Sequence, residues 1–190
     1  MREMPQAAGE PNRGLVAPFP LEEGVCYLVR GKSAEGVYRL GEIHAEDGTA
    51  VLCISRTYPE RLRSRYGFEN ATLWWISGSP GEGNFDPTAV GTLSSAIERF
   101  VDDHPDGCLV VLDGIEFIAI HTGFTKTILF LEHLNEFVMP RRTTLLVPID
   151  PECFDPKEFA RLDRFTGGIA EADLRDALDT FEANRRLESG

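Results

Sequence analysis

The chain has 190 residues, 42% of them hydrophobic and 26% charged, a balance that suits one soluble globular domain with some tail. Its net charge of −12 argues against a broad electrostatic footprint for nucleic acid or for an anionic membrane surface. No apolar run approaches the roughly 20 residues of a membrane-spanning helix, and the N-terminal stretch lacks the apolar core of a secretory signal, so the expected location is the cytoplasm.

Residues 1–23 hold Pro5, Pro11, Pro18 and Pro20 with Gly9 and Gly14 and show no periodicity, which predicts a flexible N-terminal arm. The short stretch LVAPF (15–19) is its candidate anchor on the domain. Compact apolar runs then recur at residues 25–30 (VCYLVR), 50–55 (AVLCIS), 72–77 (TLWWIS), 108–113 (CLVVLD) and 143–149 (TTLLVPI). Such near-continuous runs suit strands covered on both faces, as in a parallel sheet.

Helical patterns lie between them. Residues 33–45 place Val37 and Leu40 on one stripe, with His44 next along it. Residues 59–66 open with proline at a first helical position, and residues 91–104 carry Leu93, Ile97 and Phe100. Residues 124–138 space Phe124, Ile128, Leu131, Leu134 and Val138 as one amphipathic face. The alternation predicts a three-layer α/β sandwich over residues 24–166, with a mostly parallel five-stranded sheet and right-handed crossovers. Gly167-Gly168 reads as punctuation, and residues 169–188 as a C-terminal amphipathic helix. Its face of Leu174, Leu178 and Phe181 either docks on the parent domain or meets a partner.

Ligands of open α/β sheets bind outside the carboxyl ends of the strands. The candidate rim is therefore Arg30, Gly31, Lys32 and Ser33 after the first strand, Arg56 after the second, Ser79 after the third, and Asp113, Glu116 and His121 after the fourth. Gly31-Lys32-Ser33 has the end of a phosphate-binding loop, G-x-x-x-x-G-K-[ST], but the first glycine would fall on Cys26 inside the apolar run. No residues are left for the backbone to circle a phosphate, so a tight strand-to-helix turn with Ser33 as helix cap is expected. CLVVLDG ends a strand in an aspartate that either faces Mg²⁺ through water or caps the segment starting at Ile115.

The loop GSPGEGNFDP (78–87) belongs on the ligand-side rim, unless Asp86-Pro87-Thr88 only opens the next helix. Arg56, Arg61, Arg63 and Arg65 form a basic cluster. Arg61 and Arg65 share a helix face that meets a phosphate or acidic partner, or else is solvated and paired with Glu60 and Glu69. The stretch IAIHTGF breaks its helix near His121, which is read as a capping or exposed histidine. The four histidines have no ligand spacing, and the four cysteines read as buried reduced thiols. No cofactor and no metal are expected.

YLVRGKSAEGVYRL, LCISRTYPERLRSRYG, LWWISGSPGEGNFDPT, VVLDGIEFI and TGFTKTILFLEHLNEFV together resemble the archaeal domain-of-unknown-function family 835, over residues 24–164. The resemblance implies a shortened relative of RecA and KaiC-type ATPases, occurring alone or joined to sensory and membrane regions. In those ATPases an acidic residue after the second strand activates the attacking water. Here that stretch is Ser55-Arg56-Thr57-Tyr58-Pro59-Glu60, with Glu60 a helical turn late. ATP hydrolysis depends on positioning and charge stabilisation by several parts together. The expectation is a non-hydrolysing protein-interaction or regulatory module, whose partner is a KaiC-like ATPase, a signalling protein or another copy of itself. The alternative is a domain that senses a nucleotide or other anion near Lys32, Arg56 and Asp113 without turnover. An enzyme of other chemistry on Asp113, Glu116 or His121 is a third class.

Overall fold

The structure is a computed structural model that describes residues 18–164 and 166–188; most of the expected arm and its anchor lie outside the described residues. Seven strands, β1 (Cys26–Arg30), β2 (Ala50–Ser55), β3 (Thr72–Ile76), β4 (Asn84–Phe85), β5 (Cys108–Leu112), β6 (Thr143–Ile149) and β7 (Gly167–Ala170), form one sheet in the order β4-β3-β2-β5-β6-β1-β7. Every pairing is parallel. The helices are α1 (Glu35–Glu46), α2 (Pro59–Tyr66), α3 (Val90–Asp102), α4 (Ile115–Thr122), α5 (Phe124–Val138), α6 (Pro156–Leu162) and α7 (Glu171–Glu188), with a single 3₁₀ turn at Pro151–Cys153.

Side chains alternate along a strand, so each central strand feeds two cores. Leu109 and Val111 of β5 pack with Val37, Leu40 and Ile43 of α1, Leu62 of α2, and Leu174 and Leu178 of α7. Val110 and Leu112 pack on the opposite face with Leu93 and Ile97 of α3, Ile115 and Ile118 of α4, Leu131 and Leu134 of α5, and Leu162 of α6. This is the expected three-layer arrangement. Cys26, Cys53 and Cys108 are buried free thiols within it. Burial pushes the Cys26 thiol up to about 12, so it fills space and does not react.

The sheet has seven strands where the apolar runs predict five. Residues Asn84–Phe85 of the glycine-rich loop pair with Trp75 and Ile76, so part of that loop is sheet edge. Gly167-Gly168 is not punctuation: it opens β7, which pairs with Tyr27–Arg30 of β1. A Cβ on Gly167 would stand 2.7 Å from the Tyr27 ring, and one on Gly168 would stand 1.7 Å from the Arg30 guanidinium. Glycine here lets large neighbouring side chains lie across the strand, a use that leaves no apolar run to read.

The boundary placed after residue 166 therefore falls inside the fold. The terminal helix packs on α1 with Leu174 and Leu178 fully buried and Phe181 half-buried against the same core. That face belongs to the domain's own interior, which corrects its reading as a partner interface. The break expected near His121 is present: α4 ends at Thr122, and Gly123, at φ 83°, turns the chain into α5.

Truncating Leu178 should leave a cavity between α7 and α1. Leu178→Ala is expected to cost about 2–5 kcal/mol in chemical denaturation. A cost near zero would mean that α7 is not seated on α1 in solution.

Candidate functional site

The β2 connection runs through α2 on one face of the sheet to β3. The neighbouring β5 connection runs through α4 and α5 on the other face to β6. Two adjacent strands whose connections diverge leave a crevice at their carboxyl ends, the place where parallel α/β sheets bind ligands. Ser55 and Asp113 stand at those two ends.

Asp113 is the polar centre of this edge. One oxygen, Oδ2, accepts hydrogen bonds from Ser55 Oγ (2.9 Å) and from the Tyr38 hydroxyl, which also lies 2.7 Å from Ser55 Oγ. Ser55 Oγ accepts the Thr57 N–H at 2.9 Å. One carboxylate thus joins α1, β2 and β5. Burial raises the Asp113 carboxyl above its ordinary range, against the opposing pull of the two hydroxyl donors. Asp113 does not cap α4: that cap is Gly114, at φ 116°, where a Cβ would stand 2.9 Å from Arg56 Cγ. Glu116 accepts the Asp150 N–H at 2.8 Å, and burial raises its carboxyl too.

Gly31-Lys32-Ser33 is a short bend from β1 toward α1, whose cap is Ala34 with no side-chain bond, so Ser33 is not the helix cap expected. Gly31 N–H donates to Ile149 O (3.0 Å), continuing the sheet, and Ser33 Oγ accepts the Glu35 N–H at 3.1 Å just ahead of the first turn of α1. A Cβ on Gly31 would stand 2.6 Å from Glu171 Cβ, so the first residue of α7 occupies the space that glycine leaves open. Glu171 is buried beside the start of α1, with Oε1 unpartnered among the described residues. Lys32 is exposed and pairs with Glu152 (2.7 Å). Arg30 lies over β7 and reaches Asp163 at 3.7 Å. Glu60 is exposed on α2 and pairs with Arg63 at 2.8 Å.

Outside the crevice the same edge carries a ridge. The Arg56 guanidinium stacks 3.6 Å from the Phe117 ring centroid and donates to Ile76 O at 2.8 Å. Trp75 Nε1 donates to Arg56 O (3.1 Å), and Tyr58 meets the Trp75 ring edge-on at 5.2 Å. On the other side His121 packs on Phe117 at 4.1 Å, its Nδ1–H donating to Phe117 O, beside the exposed Ile120. Ser79 is exposed, with its carbonyl accepting Asn84 Nδ2 at 3.1 Å.

A cleft of ≈ 610 Å³ opens between α1 and α2. Ser33, Tyr38, Thr57, Arg61, Arg65, Tyr66 and Asp113 are among its lining residues. Of the three residues expected to share an anion, only Asp113 reaches it; Lys32 and Arg56 are committed elsewhere. A hollow of similar size, ≈ 600 Å³, lies near His44 and His104 at the amino edge of the sheet, away from the strand ends where such folds place ligands. Among the described residues no group of three or more His, Cys, Asp or Glu is arranged to hold a metal.

Tyr38, Tyr58, Trp75 and Phe117 are absent from the rim read off the sequence. The one available signal was Tyr38, a phenol inside an apolar helical stripe, because a buried hydroxyl needs a partner.

Residues 32–165 match the model of a family described as protein of unknown function (DUF835), and the chain belongs to that family. No curated protein matches the chain. Among solved structures it is similar to the crystal structure of the KaiC-like protein PH0186 from the hyperthermophilic archaeon Pyrococcus horikoshii OT3, at 17% identity and a TM-score of 0.50. The likeness covers 67% of this chain and 63% of that one. The fold is RecA-like α/β, as the resemblance implies.

Removing the phenol hydroxyl leaves the Asp113 carboxylate short of one donor in a largely buried site. Tyr38→Phe should lower stability by about 1–3 kcal/mol. The raised carboxyls of Asp113 and Glu116 favour the protonated form in the folded state. Their stabilising contribution is therefore full below the ordinary carboxylate range and is lost as pH rises through their raised values. Asp113→Asn keeps an acceptor for both hydroxyls and should flatten that fall in denaturation curves taken across acidic to neutral pH.

Proposed function

With the RecA-like fold and family membership as premises, we propose that the protein is a non-hydrolysing module that works by binding another protein at the carboxyl edge of its sheet. The observation that carries this reading is how that edge is used. The Asp113 oxygen at the strand end is spent on Tyr38 and Ser55, Glu171 stands against Gly31, and Lys32 pairs outward with Glu152. What the edge exposes instead is a ridge of Tyr58, Arg56 and His121 resting on the half-buried Trp75 and Phe117. Aromatic residues and arginine dominate the energetics of protein interfaces, because they combine large contact area with a polar handle. The partner is a KaiC-like ATPase, a signalling protein or a second copy of this chain, with the cytoplasm as the setting.

A second reading, ligand sensing without turnover, is supported by the α1–α2 cleft, which the domain leaves open beside Asp113. The two readings use different surfaces and are compatible. No observation favours the third class, catalysis by Asp113, Glu116 or His121: among the described residues Asp113 accepts from Tyr38 and Ser55, Glu116 accepts the Asp150 N–H, and His121 donates to Phe117 O.

Purified protein with ATP and Mg²⁺ should release no phosphate above a protein-free blank. Hydrolysis that disappears in Asp113→Asn would overturn the proposal. A partner captured from native extract should be lost by the exposed-ridge variant Arg56→Ala/Tyr58→Ala, provided the variant melts cooperatively. An unchanged partner set would move the interface off the ridge.

A further inference from the structure

We propose that the α1–α2 cleft binds a small bipolar molecule with a flat ring, its anionic group held by Arg61 and Arg65 and its hydrogen-bond donor facing Asp113. The proposal rests on the sensing reading above and names the ligand class.

Position and size come first. The cleft opens from the crevice where the β2 and β5 connections diverge, and ≈ 610 Å³ lies within the roughly 300–1,000 Å³ of small-molecule sites. Its walls differ in character. On the α2 side, Arg61 and Arg65 sit one helical turn apart. The Arg61 guanidinium makes no hydrogen bond or ion pair among the described residues, although the chain is strongly acidic. Its neighbour Arg63 is paired with Glu60, while Arg65 reaches Glu35 only at 3.4 Å. An unpaired guanidinium beside a loosely paired one suits a carboxylate or phosphate, which accepts two donors in the fork geometry of arginine.

The opposite wall asks for the reverse. Asp113 uses Oδ2 for Tyr38 and Ser55, and its other oxygen accepts no bond among the described residues. The Thr57 hydroxyl lines the same side and is likewise uncommitted. An amine or hydroxyl on the ligand would satisfy Asp113. A polyphosphate would meet Asp113 and Glu35 and be repelled, and a simple cation would meet Arg61. Between the walls stand the Tyr66 and Tyr38 rings, 5.1 Å apart between centroids, an aromatic surface suited to a planar group. Bipolar chemistry with a flat ring satisfies all three features together.

The test uses three probes by isothermal titration calorimetry on the full chain. O-phospho-L-tyrosine carries the anion, the ring and the ammonium. Phenyl phosphate lacks the ammonium, and tyramine lacks the anion. The bipolar probe should bind tightest. Arg61→Ala should weaken it and phenyl phosphate by at least about tenfold, the loss expected for one charge-assisted hydrogen bond, and leave tyramine unchanged. Arg63→Ala, an exposed change outside the cleft, should alter none of them. Absence of binding by all three probes at millimolar concentration overturns the proposal, as does binding that survives Arg61→Ala. Asp113-dependent hydrolysis of ATP would overturn the non-hydrolysing reading and leave this site standing; loss of probe binding would do the converse.

Discussion

Parallel pairing of all seven strands is the constraint from which the rest of this molecule follows. Parallel neighbours cannot be joined by tight hairpins, so nearly every connection crosses a face of the sheet and covers it with a helix. Both faces become interior, which is why the central strands are apolar along their whole length and feed two separate cores. Polar groups of the central strands are displaced to the strand ends, and those ends gather at one edge.

At that edge, Asp113 shows how a buried charge-bearing group is accommodated. Its carboxyl is drawn toward the neutral form by burial and toward the charged form by two hydroxyl donors. The donors come from α1 and β2, so this small network also fixes how the helix is rotated over the sheet. A polar network of this kind specifies one arrangement because any rotation would leave an oxygen or a hydroxyl unpaired. Asp113 at the strand end is a structural junction, and Gly31 leaves room for the approach of α7.

Two surfaces remain after the junction is made. Tyr58, Arg56 and His121 form one ridge with the half-buried Trp75 and Phe117, and Thr57 is among the residues lining the α1–α2 cleft. They meet in the short β2–α2 connection, Arg56–Tyr58, which supplies residues to both.

The sequence by itself determined the layered α/β class and the five longest strands. Those features rest on apolar period and strand ends, which are local. Asp113 was legible because an aspartate closing an apolar run stands out. Tertiary structure alone decided the rest. Strand β7 is half glycine and exists because Tyr27 and Arg30 lie across it, and Asn84–Phe85 became sheet only beside Trp75 and Ile76. Leu174 and Leu178 looked the same whether facing a partner or α1, since amphipathicity states that a face is covered and not by what. Tyr38 reached Asp113 across 75 residues of chain because α1 crosses the sheet at a particular rotation. Periodicity records what each segment buries; which distant group it meets is set by packing, and the site was assembled from those meetings.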